Sequence, residues 1–182
     1  MVYTPAIKSD NVEYQAAVAV GLPIRKRSQV LGEISETYKT LAVAGTHGKT
    51  TTSILLTQLL RASGVDCTAF LGGISRNLNS NFAFGQTEYM VTEADEYDRS
   101  FLTLKPWASI ITSLDPDHLD IYGTEEEMKA TYLQFASQVT GPLLVYASLL
   151  GEDWPKKPLS YGIDEGDYRA ENLRFEGLAT CF

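Results

Sequence analysis

The amino-acid sequence predicts an α/β fold, a mostly parallel sheet with helices on both faces. Two observations carry that expectation. Short apolar or β-branched runs (Leu41–Ala44, Cys67–Leu71, Glu88–Thr92, Ala108–Leu114 and Leu143–Ala147) alternate with segments of helical period. The turns behind several of these runs carry glycines, carboxylates and both histidines of the chain. In such sheets ligands sit beyond the carboxyl ends of the strands, where those turns would gather.

Taken in order, the first 36 residues read differently from the rest. Asp10 followed three residues later by Glu13 suggests a helix cap, and Gln15–Val20 is helix-compatible until Gly21-Leu22-Pro23 stops it. Pro23–Arg27 reads as a short extended piece whose three cations form a solvated patch, and Ser28 then caps a second short helix through Ile34. With little core of its own, the stretch 1–38 is expected to be the tail of another domain plus a connector. Residues 39–182 form the central unit.

That unit opens with Leu41–Ala44, a buried-strand run, then Gly45-Thr46-His47-Gly48 and Lys49-Thr50-Thr51-Thr52. Beyond them Ile54, Leu55, Leu56, Leu59 and Leu60 keep one side of a helix over 50–62 apolar. Strand, glycine loop, Lys-Thr and helix are the parts of a phosphate cradle. Glycines let backbone N–H groups approach phosphate oxygens, and the helix N-terminus adds partial positive charge. Lys49 would reach the terminal phosphates and a threonine hydroxyl would ligate Mg²⁺. The first glycine stands three residues before Gly48, so the loop is a shorter variant of the general nucleotide pattern. The plainer alternative is a glycine-rich turn with a surface lysine.

The next run, Cys67–Leu71, should end at Gly72-Gly73, with the Asn- and Ser-rich stretch 74–85 as a loop at the sheet edge or a substrate-facing segment. Glu88–Thr92 leads into Glu93-Ala94-Asp95-Glu96, and Ala108–Leu114 into Asp115-Pro116-Asp117-His118. Hard carboxylate oxygens at those strand ends suit Mg²⁺, with Glu93 the better ligand and Glu96 and Asp98 read as capping or surface groups. His118 could ligate a second cation or orient a phosphate, while His47 offers its backbone N–H more than its ring. Thr124 and Glu127 make a capping box, and the helix behind them puts Met128, Tyr132, Phe135 and Val139 on one face. Strand-like pieces at 143–147, 159–161 and 168–175 complete the sheet.

Bulk composition bounds the partners. The 182 residues carry 15 Lys+Arg against 23 Asp+Glu, a net charge of −8, which argues against general nucleic-acid binding. Cys67 and Cys181 stand far apart and belong to no paired metal motif. No apolar run approaches the roughly 18 residues of a membrane span, and no leader precedes residues 1–8. A cytoplasmic protein is expected.

As a set, Gly45–Thr52, Glu93–Glu96 and Asp117-His118-Leu119-Asp120-x-Tyr122-Gly123 resemble the Mur ligases of peptidoglycan synthesis, most of all the members that join L-alanine to UDP-N-acetylmuramate. The resemblance implies the P-loop NTPase-like central domain of that family. It implies ATP and Mg²⁺ as cofactors, with UDP-N-acetylmuramate and L-alanine as substrates of the whole enzyme. The lactyl carboxylate would attack the γ-phosphate to give an acyl phosphate, which the amine of L-alanine would then attack. Lys49 would stabilise phosphate charge, the amides of Thr46–Thr51 would cradle the phosphates, Thr50 and Glu93 would hold one Mg²⁺, and Glu93 with His118 a second.

The sequence also departs from the family pattern. Ser113 stands where the resemblance leads to Asn, and Tyr132 where several relatives carry a carbamylated lysine, so no carbamate is expected. The adenine-holding His-Asn motif and the C-terminal domain are not matched. The chain alone is therefore expected to bind nucleotide weakly and to catalyse nothing. Two other readings are a ligase that recycles a tripeptide onto UDP-N-acetylmuramate, and a non-catalytic ATP-binding module. An unrelated phosphate-loop kinase or GTPase is disfavoured by the short glycine spacing and the lack of an N-K-x-D motif.

Overall fold

The structure is a computed structural model that describes residues 1–117, 119–177 and 179–181, the side chains of Leu119, Ala179 and Cys181 excepted. Strand β1 (Val2–Tyr3) pairs in parallel with β2 (Arg25–Lys26), and helix α1 (Val12–Ala19) connects them. Its cap is Asn11, whose side chain accepts from the backbone N–H of Glu13 and Tyr14 at 3.0 Å, so Asp10 does not cap it. Helix α2 (Arg27–Glu36) likewise starts a residue before Ser28, with Gln29 Oε1 accepting from Lys26 N at 2.9 Å.

Helix α2 is seated on the body of the protein. A Cβ on Gly32 would lie 2.5 Å from Thr103 O. Thr103 Oγ1 donates to Ser28 O at 2.8 Å, and Lys105 N to Ser35 Oγ at 2.9 Å.

The main sheet is built from β3 (Lys39–Ala44), β4 (Thr68–Ser75), β5 (Ser80–Ala83), β6 (Tyr89–Glu93), β7 (Ala108–Ile111), β8 (Leu143–Tyr146), β9 (Leu159–Gly162) and β10 (Tyr168–Arg169). Its order is β10-β9-β8-β7-β3-β6-β4-β5, parallel throughout except for β5. The mostly parallel sheet is thus as expected, and one stretch differs. Strand β4 runs through Gly72-Gly73, and β5 folds back on it, so 74–85 is a hairpin with an edge strand rather than a loop. Paired backbone there outweighs the Asn and Ser content that suggested a turn. A small antiparallel pair, β11 (Arg174–Glu176) and β12 (Ala179–Cys181), ends the described chain.

Alternation along β3 divides the core between the two faces. Ala42 and Ala44 face helix α5 (Glu125–Ser137), whose Met128, Tyr132, Phe135 and Ala136 are buried with Phe101 and Leu104. Leu41 turns the other way, toward helix α3 (Lys49–Ala62) and its Ile54, Leu56 and Leu60. Thr124 caps α5 by accepting from Glu127 N. Phe101 stacks on Phe135 at 4.8 Å and meets Tyr132 edge-on at 5.1 Å.

On α3 the pattern differs from expectation: Leu55 and Leu59 are exposed, while Ser53 and Thr57 are buried. Small hydroxyl residues bring the helix close to the sheet, and they satisfy themselves on the preceding turn, Thr57 Oγ1 to Ser53 O at 2.8 Å. Among the described residues Cys67 is buried and free, and no helix is long and apolar enough to cross a membrane.

Candidate active site

Register brings the suspected turns to one edge. Val43 pairs with Glu93 and Ala44 with Ile111, so the turns after β3, β6 and β7 leave the sheet side by side. The glycine loop 45–48 follows β3, and Gly48 (φ +82°) caps α3. The first N–H groups of that helix have no acceptor within it and point out over the loop.

The loop is latched to the turn after β7. Thr46 Oγ1 and Ser113 Oγ lie 2.8 Å apart, and Asp115 N donates to Thr46 Oγ1 at 3.1 Å. His47 N donates to Ser113 Oγ at 2.9 Å and Thr46 N to Ser113 O at 3.3 Å. Thr112 N donates to Ala44 O at 3.0 Å. Two of the amides expected to cradle phosphate are therefore spoken for, which leaves those of Gly48–Thr51. Ser113 organises the loop, a role that a polar residue one turn past a strand gives no sign of in isolation. The ring of His47 is largely exposed and lies 4.0 Å from the Asp115 carboxylate.

Lys49 folds back over the loop. Its Nζ donates to Gly45 O at 2.8 Å and to Thr46 O at 3.4 Å, and it pairs with Glu96 Oε1 at 2.8 Å. Glu96 is 1% exposed, which corrects its reading as a surface acid: it is buried and paired with the loop lysine. Burial pushes its carboxyl up, and the hydrogen bond from Lys49 draws it back down. Tyr122 OH donates to Glu96 O at 2.6 Å, and burial with the Glu96 charge nearby pushes that phenol up to about 12. Asp98, half-exposed, pairs with Lys26 at 3.0 Å, as a surface group should. Asp98 and Arg99 both adopt left-handed backbone (φ +53° and +54°), which tightens the turn that holds Glu96 in place.

Glu93 ends β6, and its Oε2 accepts from Gly72 N at 3.0 Å. A Cβ on Gly72 would lie 2.2 Å from that oxygen, and one on Gly73 would lie 3.1 Å from the methyl of Thr50. Gly72 thus forms a floor under the Glu93 carboxylate, and Gly73 leaves room for the Thr50 methyl. Thr51 is exposed on the outer side of the first helical turn. His118 lies outside the described residues. Among the described residues no three His, Cys, Asp or Glu side chains cluster as a metal cage. The Thr50 hydroxyl and the Glu93 carboxylate are donors of the kind that suits Mg²⁺ arriving with phosphates and keeping its waters.

Two clefts flank the loops. One, of about 510 Å³, runs from Glu93 and Asp95 along Leu31, Phe70 and Phe82 to Arg27. The other, of about 400 Å³, lies beyond Ser113 and Asp115, by Lys129, Tyr146 and Glu152.

Residues 43–176 match the model of the Mur ligase middle domain. The chain belongs to the Mur ligase family. A UDP-N-acetylmuramate–L-alanine ligase of Porphyromonas gingivalis is 52% identical over 181 residues, covering 95% of this chain and 40% of that protein. The solved UDP-N-acetylmuramate-alanine ligase of Thermotoga maritima superposes with a TM-score of 0.80 at 26% identity, over 96% of this chain and 40% of that one. The MurF ligase of Thermotoga maritima, solved in complex with ADP, shares the fold alone (TM-score 0.66, 15% identity, 98% of this chain and 51% of that one). The chain spans 39–40% of the length of the first curated relatives it matches. In this Mur ligase segment the loop, the Lys49–Glu96 pair and the Glu93 floor occupy the carboxyl edge of the sheet.

Proposed function

We propose that this Mur ligase segment is the ATP-binding part of an enzyme that joins L-alanine to UDP-N-acetylmuramate, with residues 1–38 the end of a preceding UDP-binding domain and its connector. The observation that carries the reading is the register that sets Val43 beside Glu93, so that Lys49 and Thr50, just past β3, and Glu93, at the end of β6 and on the wall of a cleft, belong to the same edge of the sheet. ATP supplies the phosphoryl group and Mg²⁺ the charge that lets two anions approach. The amides of Gly48–Thr51 hold the phosphates, Lys49 neutralises charge on them, and Thr50 and Glu93 hold the cation. His118 is assigned to a second cation with Glu93. The substrate carboxylate attacks the γ-phosphate, ADP leaves, and the alanine amine displaces phosphate from the acyl phosphate.

The names of the curated relatives favour this reading over tripeptide recycling, and assay of a family-length ligase carrying this segment with L-alanine against tripeptide separates the two. A non-catalytic module would need no second cation site at Glu93 and His118. Glu93→Ala in that ligase is expected to lower turnover by at least about a hundredfold, since one preorganised electrostatic contact is worth roughly 3–4 kcal/mol in the barrier. Near-normal turnover removes Glu93 from the mechanism. Crystals of the chain soaked with nucleotide and Mg²⁺ should show density at Gly45–Thr50 with a cation beside Glu93.

Gly72→Ala tests the floor. The new methyl displaces the Glu93 carboxylate, the far end of a flexible side chain, so the fold should persist. The Mg²⁺ concentration needed for half-maximal nucleotide binding should rise roughly tenfold, the loss of one charge-assisted hydrogen bond. An unchanged Mg²⁺ requirement would mean that Glu93 holds no cation.

A further inference from the structure

Two buried polar atoms beside Lys49 are unexplained by the reading above. Among the described residues Glu96 Oε2 and Tyr132 OH are buried without a hydrogen-bond partner. Tyr132 is fully buried on α5, where burial first and the nearby Glu96 carboxylate second push its phenol up. Unsatisfied buried groups are rare, and each calls for a reason. Here the buried hydroxyl that lacks a partner, on a helix of the core, feels the charge of the carboxylate that pairs with the loop lysine, whose second oxygen also lacks one.

That arrangement solves a problem set by the phosphate reading. Lys49 is held on Glu96 and two loop carbonyls, yet it must turn to phosphate. When it does, Glu96 is left as a buried carboxylate with no cation, which is costly unless another donor replaces it. Tyr132 OH is such a donor, already in place and bonded to nothing else.

We propose that Glu96 and Tyr132 are positioning residues for Lys49: the carboxylate parks the ammonium at the loop, and the tyrosine hydroxyl takes over the carboxylate when the ammonium turns to phosphate. The proposal rests on the nucleotide reading and adds to it a partner exchange. Helix α5 thereby becomes part of nucleotide binding, although none of its residues touches the ligand.

The test uses a family-length ligase carrying this segment, ¹⁵N-labelled, titrated with Mg²⁺ and the β,γ-imido analogue of ATP. It compares wild type, Glu96→Gln, Tyr132→Phe and the double variant. In wild type the Lys49 ammonium should give a sharp, exchange-protected signal that moves on binding. Glu96→Gln should broaden that signal in the free protein and leave affinity equal or a few-fold tighter, since no ion pair has to be broken. Tyr132→Phe should leave the free Lys49 signal intact yet weaken binding roughly tenfold, the worth of a hydrogen bond to a charged group. In the Glu96→Gln background the same change should have little effect.

A merely structural tyrosine would weaken binding equally in both backgrounds, and that result overturns the exchange. So does a Tyr132→Phe protein that binds as wild type. An unchanged Lys49 signal in Glu96→Gln overturns the parking. Should Glu96→Gln not fold, Glu96→Asp, which keeps the charge but shortens the reach, replaces it in the cycle. Wild type that binds no nucleotide defeats the phosphate reading and the exchange with it, while the free Lys49 signal still decides the tether.

Discussion

Lys49→Ala is expected to cost more than phosphate binding. Turnover of a family-length ligase carrying this segment should fall by at least about a hundredfold, because the charge developing on the transferred phosphoryl group loses its fixed cation. Stability should fall as well, for a separate reason. Glu96 is 1% exposed and Lys49 is its cation at 2.8 Å. Removing one partner of a buried pair typically costs about 3–5 kcal/mol, because the other charge is left uncompensated.

The two losses separate in the double variant Lys49→Ala with Glu96→Gln. Urea unfolding should show most of the stability restored, since the orphaned charge is gone, while turnover stays low.

The pH dependence has a definite sign. Burial already raises the Glu96 carboxyl, and without Lys49 it rises further. A carboxyl raised in the folded state contributes stability that is full below its unfolded value and is lost as pH rises through its folded value. The Lys49→Ala protein should therefore approach wild-type stability at acid pH and fall away from it toward neutrality. A gap that is constant with pH would mean that Glu96 is not the cause.

Much of this site could be read from the chain because its local requirements leave marks. Gly45 and Gly48 stand where the backbone takes φ +129° and +82°, and Glu93 stands at the end of a β-branched strand that must be buried. Face assignments on α5 followed from a helical period and a good cap. What escaped notice depends on contacts between distant segments. Ser113 matters through Thr46 and His47, and Glu96 through Lys49, and in each case the partner is set by the register of β3 with β6 and β7. Gly72 and Gly73 suggest a strand end because glycine usually breaks strands. Here it keeps one continuous while the Glu93 carboxylate comes close to the backbone. Leu55 and Leu59 misled in the opposite direction: a small-residue stripe, Ser53 and Thr57, is what allows α3 to sit close to the sheet.

The second large effect is expected at Gly45. Its φ of +129° lies in a region that only glycine occupies comfortably, a penalty of order 1–3 kcal/mol for any other residue. Space is the greater obstacle. A Cβ there would lie 2.1 Å from Thr112 Oγ1 and 2.8 Å from Ser113 N, and the second of these is backbone that cannot swing away. Gly45→Ala must therefore either push the loop off the turn after β7 or shift β7 itself. The first course breaks the bonds that Ser113 makes to Thr46 and His47 and removes the carbonyl that holds Lys49. Hydrogen exchange at His47 N–H should accelerate by an order of magnitude or more, and nucleotide affinity should fall below detection. The thermal midpoint should drop by several degrees. Gly48→Ala makes the informative comparison. Gly48 also has positive φ, but a Cβ there meets Thr112 no closer than 3.8 Å, so its penalty is conformational alone. If the two variants lose stability and His47 protection equally, the latch between the loop and the turn after β7 contributes nothing, and the strain at the glycines accounts for the whole effect.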